Sequence, residues 1–290
     1  FLIVILRKLF RNENLIEKDR RIGRLLASSI FRNLDFKNFI VLSKSMLSVF
    51  SAIQPSCRIF DNQHGIIYPK KSDYFTDDLV SNHLVANDVH LLIFGDEFRN
   101  ILVKQDCTDF MKINSHVVGS PTHQSSINHS AFNKNVLITL QFTRDHNIAN
   151  NLKLLDELHH FIDLSSNNIT FYLKHHPRFD NELDLSEIFK LSNVKLAPSD
   201  INDCFKICSL HATSYSTSTF EAALMGIPTV LIHSQDWSNL FKIDFSYPLC
   251  NTISDFSDMT VYQESAILVK RWAQRYYSAY DESTFLSLLQ

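Results

Sequence analysis

Glycine is scarce in this chain. There are five among 290 residues, where a soluble protein of this length carries roughly 20. No G-x-G-x-x-G is present, and no Gly-Lys-Ser/Thr run. That excludes the dinucleotide fingerprint and the Walker phosphate loop. Long apolar runs are missing as well. The N-terminal stretch Phe1–Leu6 ends in Arg7-Lys8, far short of the ~20 apolar residues that span a bilayer. No small-residue cleavage site follows it, and we read it as a buried strand. A soluble protein is expected, with peripheral membrane attachment left open. Cysteines number five, Cys57, Cys107, Cys204, Cys208 and Cys250. They are odd in number and scattered, which excludes a disulfide framework. Cys204 and Cys208 share a helix face, but no second pair completes a zinc site. Charge is nearly balanced, 28 Lys and Arg against 31 Asp and Glu, for a net −3. Nothing in that balance favours a nucleic acid partner.

What the chain does contain is alternation. Strand-like runs at Phe39–Leu42, Cys57–Phe60, His90–Phe94 and Ser115–Val118 are separated by helical patterns at 12–33, 43–50 and 96–104. The stretch 81–88 reads as connecting structure. A polar stretch, SPTHQSSINHSAFNK at 120–134, is the best linker. A second series follows. Its strands are expected at Val136–Leu140, Ile169–Leu173, Val194–Leu196, Ser209–Ala212 and Thr229–Ile232, with helices at 147–164, 201–207, 217–225 and from 264 onward. Strands alternating with helices imply parallel sheets. The expectation is an α/β protein of two doubly wound, Rossmann-like domains, 1–125 and 135–290. Ligands in such folds bind at the carboxyl ends of the strands.

Three motifs fall at such ends. Between the strand at 209–212 and the next helix lies Thr213-Ser214-Tyr215-Ser216-Thr217-Ser218-Thr219. A helix start offers free N–H groups and the positive dipole end, and hydroxyls add donors. One hydroxyl suffices for an N-cap; six within seven residues suggest a bound phosphate, with Ser214, Ser216, Thr217, Ser218 and Thr219 as contacts. Glu221, about a turn later, suits ribose hydroxyls. The second motif, Lys174-His175-His176-Pro177, ends the strand at 169–173. Proline cannot continue a ladder. Lys174 and His176 are placed to hold a leaving phosphate, the alternative being a strand-end His pair without a role. The third, Asp61-Asn62-Gln63-His64-Gly65, places His64 for deprotonating an acceptor hydroxyl, or else as a structural turn residue. Gln63 stands beside it. Asp96 and Glu97, after Gly95, would contact an acceptor or cap the next helix. Gln141 to Arg144 follow the first strand of the second series, and Arg144 is a candidate phosphate contact.

The run Ser218-Thr-Phe-Glu-Ala-Ala-Leu-Met-Gly-Ile-Pro-Thr-Val230 resembles the donor-site element of GT-B glycosyltransferases. Joined to the upstream Lys-x-His-Pro, it resembles a His-Pro subset of that superfamily. The subset includes bacterial sialyl-, polysialyl- and Kdo transferases, surface-polysaccharide transferases and teichoic-acid glycerophosphotransferases. The resemblance implies two Rossmann-like domains facing a cleft, the donor held mainly by the C-terminal one, and a cytidine nucleotide donor. Glu221 would take the ribose, and His176 with the Ser216–Thr219 turn the phosphates. His64-Gly65 resembles the His-Gly of the glycerophosphotransferases, although no Trp precedes it. Gly119-Ser120-Pro121 is similar to the end of a GT-B N-domain. No Asp-x-Asp, the GT-A metal signature, is present. The expected protein is therefore a metal-independent glycosyltransferase needing no cofactor. It takes a nucleotide-activated sugar, CMP-linked by preference, and a glycan or lipid-linked acceptor. Its place is the cytoplasm, with the inner face of the plasma membrane left open. A polyol-phosphate transferase, a non-catalytic relative and, less well matched, an epimerase are the alternatives.

Overall fold

The computed structural model describes residues 2–10, 13–42, 44–120, 127, 129–143, 147–165, 168–179, 183–232 and 240–290. It divides into two compact units. One comprises Phe1–Thr122 with Arg275–Gln290, the other His123–Gln274. The boundary falls within the polar 120–134 stretch. The last sixteen residues, grouped with the C-terminal domain by sequence, pack with the first unit instead.

The first unit opens with helices α1 (Leu2–Leu9) and α2 (Leu15–Ser28). The expected N-terminal strand is thus a helix. Ile3 and Leu6 lie at helical spacing and pack against Ile22, Leu26, Val49 and Ile53. Arg7 donates two bonds, of 2.7 and 2.6 Å, to the carboxylate of buried Asp19. A strand would have sent Ile3 and Leu6 to opposite faces. Next come β1 (Asn38–Val41), α3 (Leu47–Ile53), β2 (Arg58–Asn62) and a small hairpin, β3 (Phe75–Thr76) and β4 (Leu79–Val80). Then follow α4 (Asn82–Val85), within the expected connection, β5 (Val89–Ile93), α5 (Asp96–Gln105), α6 (Phe110–Asn114) and β6 (Ser115–Val117). The parallel sheet runs β1-β2-β5-β6.

The second unit holds β7 (Asn135–Thr139), α7 (Ile148–Asp163), β8 (Thr170–Lys174), α8 (Ser186–Phe189), β9 (Val194–Leu196) and α9 (Ile201–Ile207). It continues with β10 (Leu210–Thr213), α10 (Ser218–Leu224), β11 (Thr229–Leu231), a π-helical turn at Leu240–Asp244 and α11 (Met259–Tyr276). Its parallel sheet is ordered β11-β10-β7-β8-β9. The direction of winding reverses between β7 and β10, so their carboxyl ends flank the switch point where such sheets bind ligands. Gly226 stops α10 at φ +76. The N–H groups of Gly226 and Ile227 return to Ala223 and Ala222 carbonyls, both at 2.9 Å, a left-handed helix ending that favours glycine.

After α11 the chain returns along the first unit and ends in α12 (Glu282–Leu289). Ser120 N–H donates to Ser278 O at 3.0 Å, and Asp281 N–H to Val118 O at 2.9 Å. Gly119 sits between them at φ +78, and a Cβ there would lie 2.1 Å from Ala279 O. Gly119→Ala is therefore expected to cost about 2–3 kcal/mol, from backbone strain plus the forced separation of the returning segment. Urea denaturation measures this, and a loss under 1 kcal/mol would contradict that close approach. No described helix is long and apolar enough to cross a membrane.

Candidate donor pocket and acceptor-side groups

A cavity of about 410 Å³ opens at the carboxyl ends of β7, β8 and β10. Two of the sequence motifs meet in its wall. Lys174, His175, His176 and Pro177 come from the end of β8; Ser216, Thr217, Ser218 and Glu221 come from the turn into α10. Thr139, which ends β7, and Gln141, after it, complete that side. Two expected contacts are not in the wall. Thr219 is fully buried, and its hydroxyl has no partner among the described residues. Ser214 is buried as well. Arg144 lies outside the described residues.

Lys174 Nζ donates to Ser199 O at 2.6 Å, which fixes the ammonium beside the cavity. Arg178 N–H donates to His176 Nδ1 at 3.1 Å. Nδ1 is thus an acceptor, and the neutral ring carries its proton on Nε2. His175 stacks on Phe179 at 4.6 Å, with 9° between the rings. Burial, then the Lys174 charge, holds its pKa below the usual histidine range. His176 rather than His175 is the better placed donor. The Glu221 side chain meets water but is densely surrounded by protein, and that burial raises its carboxyl. A carboxyl of raised pKa still accepts ribose hydroxyls when ionised and donates when protonated.

Beneath the turn runs a hydrogen-bonded network the sequence reading missed. Ser218 Oγ donates to Ser216 Oγ at 2.7 Å and lies 3.0 Å from Thr139 Oγ1. Thr139 Oγ1 reaches His211 Nε2 at 2.9 Å, and His211 Nδ1 reaches Thr229 Oγ1 at 2.9 Å. His211 is fully buried, and burial pushes its pKa down to about 3. The ring therefore stays neutral at ordinary pH and bridges three strands and α10. The only sequence signal was its place in Ser-Leu-His-Ala-Thr, where His211 and Thr213 alternate with apolar Leu210 and Ala212. Behind α10, Phe220 stacks on Trp272 at 4.7 Å, and Trp272 Nε1 donates to Phe245 O at 2.7 Å. The turn is held from below and behind.

In the first unit, the loop after β2 is equally constrained. Gln63 is buried; its Nε2 donates to Gly65 O at 2.8 Å, and its Oε1 accepts Phe94 N–H at 2.8 Å. Both ends of that amide are committed to backbone. Lys71 Nζ donates to Ile66 O at 2.8 Å and His64 O at 3.2 Å. The His64 ring is exposed. Asp61, at the end of β2, is a second group the sequence reading gave no role. Burial and then nearby Asp73 raise its carboxyl to about 7, against the pull of Lys71. Lys71 is in turn lowered by burial. Asp96 and Glu97 occupy the first turn of α5 without a side-chain cap bond. Glu97 pairs with Arg275. Their contribution to the helix is through the dipole.

No protein-family model matches the sequence, and no curated protein does. Solved structures match by shape. TarM of S. aureus shares 14% identity, with a TM-score of 0.55 over 92% of this chain and 58% of that one. A putative UDP-N-acetylglucosamine 2-epimerase of Listeria monocytogenes shares 13%, at 0.53 over 96% and 79%. The H444N variant of the wall teichoic acid polymerase TagF shares 12%, at 0.53 over 87% and 72%. The chain thus spans little more than half of TarM. Two parallel-sheet units of this order, matched across nine-tenths of the chain, have the GT-B fold.

Proposed function

We propose that the protein is a glycosyltransferase. It moves a sugar from a nucleotide donor, CMP-linked by preference, to a hydroxyl of a surface-glycan acceptor. One observation carries the reading: the Lys-His-His-Pro and Ser/Thr motifs, about forty residues apart, line one cavity together with Glu221. That wall offers an ammonium, an imidazole N–H and clustered hydroxyls to a leaving phosphate, and a carboxylate to a ribose. Stabilising charge as it develops on the leaving group is the largest catalytic effect available to such a site. TarM has been solved with UDP, which supports a nucleotide in this fold. The cytidine preference rests on the sequence resemblance. His64 or Asp61 would take the acceptor proton. No cofactor or metal enters the scheme, and the place of action would be the cytoplasm, at the inner membrane face for a lipid-linked acceptor.

Thermal shift with CMP, CDP, UDP, GDP and their sugars tests the donor claim. A nucleotide at a hundred times its Kd should stabilise the protein by about 2.7 kcal/mol. Lys174→Ala and His176→Ala should each weaken that nucleotide about 10- to 100-fold, the worth of one charge-assisted hydrogen bond. Absence of any shift in the wild type defeats the reading. CMP-sugars and CDP-glycerol, assayed side by side, separate sugar transfer from polyol-phosphate transfer. TagF, a wall teichoic acid polymerase by its description, makes the second worth the comparison.

A further inference from the structure

The second unit contains a larger cavity, of about 830 Å³, remote from the donor pocket. It lies where β7 and β8 begin and along the edge strand β11, whereas the donor pocket lies where β7, β8 and β10 end. A five-residue strand separates the two ends by about 16 Å. Phe132, Phe161, Leu164, Leu249 and Ile253 supply an apolar wall. Leu164, at 75% exposure, leaves a large side chain in water beside it. Lys134 and Lys242 also line the cavity, and no Asp or Glu does. Among the described residues neither lysine has a carboxylate within ion-pair distance. Ser165, Asn168 and Thr252 also line the cavity, with the Ser165 hydroxyl donating to Phe161 O and that of Thr252 to Asp255 Oδ2.

An open cavity of this size, apolar on one wall and polar on the rest, is suited to a small ligand. Two cations without an opposing charge ask that the ligand bear negative charge. We propose that this cavity is a second binding site, for an amphipathic anion: a single apolar chain with a phosphate or carboxylate head. The chain would cover the phenylalanine and leucine wall, and the head would pair with Lys134 and Lys242. Thr229 belongs to the cavity wall and also bonds His211, which bonds Thr139 of the donor pocket. An occupant is therefore connected to the donor side by buried hydrogen bonds.

Cys250 lines the cavity and is exposed, so it reports occupancy. Cys107, in the first unit, is also exposed and serves as the internal reference. The test measures iodoacetamide labelling of each thiol in the full chain by peptide mass spectrometry. The probes are dodecyl phosphate and dodecanoate below their micellar concentrations, inorganic phosphate, and dodecyltrimethylammonium. At least one dodecyl anion should slow Cys250 labelling fivefold or more and leave Cys107 unchanged. Which of the two protects better identifies the head group. Inorganic phosphate and the dodecyl cation should protect less than twofold. Lys134→Glu with Lys242→Glu, both side chains reaching solvent, should abolish protection by the anions. Equal protection by the cation, parallel slowing at Cys107, or no protection by either anion overturns the proposal. The wild-type arms decide this even where the double variant does not fold.

Discussion

His211→Ala is expected to unfold about 4 kcal/mol below the wild type at pH 7, with the deficit shrinking to about 1 kcal/mol at pH 4. The first figure combines two losses. Removing a fully buried imidazole leaves a cavity. It also strips a partner from Thr139 and Thr229, whose hydroxyls bond the two ring nitrogens at 2.9 Å. The second figure follows from linkage. The folded protein holds His211 neutral down to about pH 3, whereas an unfolded histidine protonates near 6.5. Between those values the unfolded chain binds the extra proton. Wild-type stability is therefore complete above about pH 6.5 and falls as the pH is lowered toward 3. From pH 7 to pH 4 this one residue costs the wild type about 3 kcal/mol, a loss alanine does not suffer. Urea denaturation of both proteins at the two pH values checks it. Parallel pH curves would mean that the ring is not buried neutral.

Asp61→Asn is expected to do the opposite, raising stability by as much as about 4 kcal/mol at pH 8 and hardly at all at pH 4. Asp61 titrates at about 7 in the folded protein because burial and Asp73 disfavour its charge. An unfolded aspartate titrates near 3.9. The folded state thus binds the proton more tightly. Its stability is fully present below about pH 4 and is lost as the pH rises through 7. Asparagine is close in shape and carries no charge, so the penalty disappears. Loss of the attraction between Asp61 and Lys71, which is itself lowered by burial, takes back part of the gain. Chemical denaturation across pH 4–8 measures the slope. A variant no more stable than wild type at pH 8 would place the Asp61 carboxyl in the ordinary range. Under the proposed function the same group competes with His64 for the acceptor proton. The pH–rate profile of Asp61→Asn then tests its part: if Asp61 is the base, the variant loses the acidic limb near pH 7.

The proposed donor side was legible in the sequence because its chemistry is local. Hydroxyls crowded before a helix, or Lys-His-His-Pro closing a strand, can be read without neighbours. The Gly226-x-Pro228 stop is equally local. The proposed acceptor side was less legible. Gln63 looked available beside His64, but its amide is consumed by Gly65 and Phe94, thirty-one residues away in the second case. Asp61 looked like one more polar residue of a turn. Only burial, and then the approach of Asp73, push its carboxyl up to about 7. The strand expected over Phe1–Leu6 is a helix from Leu2 onward, since a short apolar run carries no decisive period. The contacts of Ile3 and Leu6 with α2 and α3 decided it.

By itself, then, the sequence determined the alternation of strands and helices, the two parallel-sheet series and the motifs at strand ends. These depend on periodicity and on residues that start or stop an element, and both act over a few positions. Tertiary structure decided what depends on distant parts of the chain meeting. It brought residues 174–177 and 216–221 to one cavity and joined Thr139, His211, Ser218 and Thr229 into one network. It also returned Arg275–Gln290 to the first unit. The physical reason is the same in each case. Burial and hydrogen-bond partners, which set what a polar side chain can do, are properties of the packed chain and not of its neighbours in sequence.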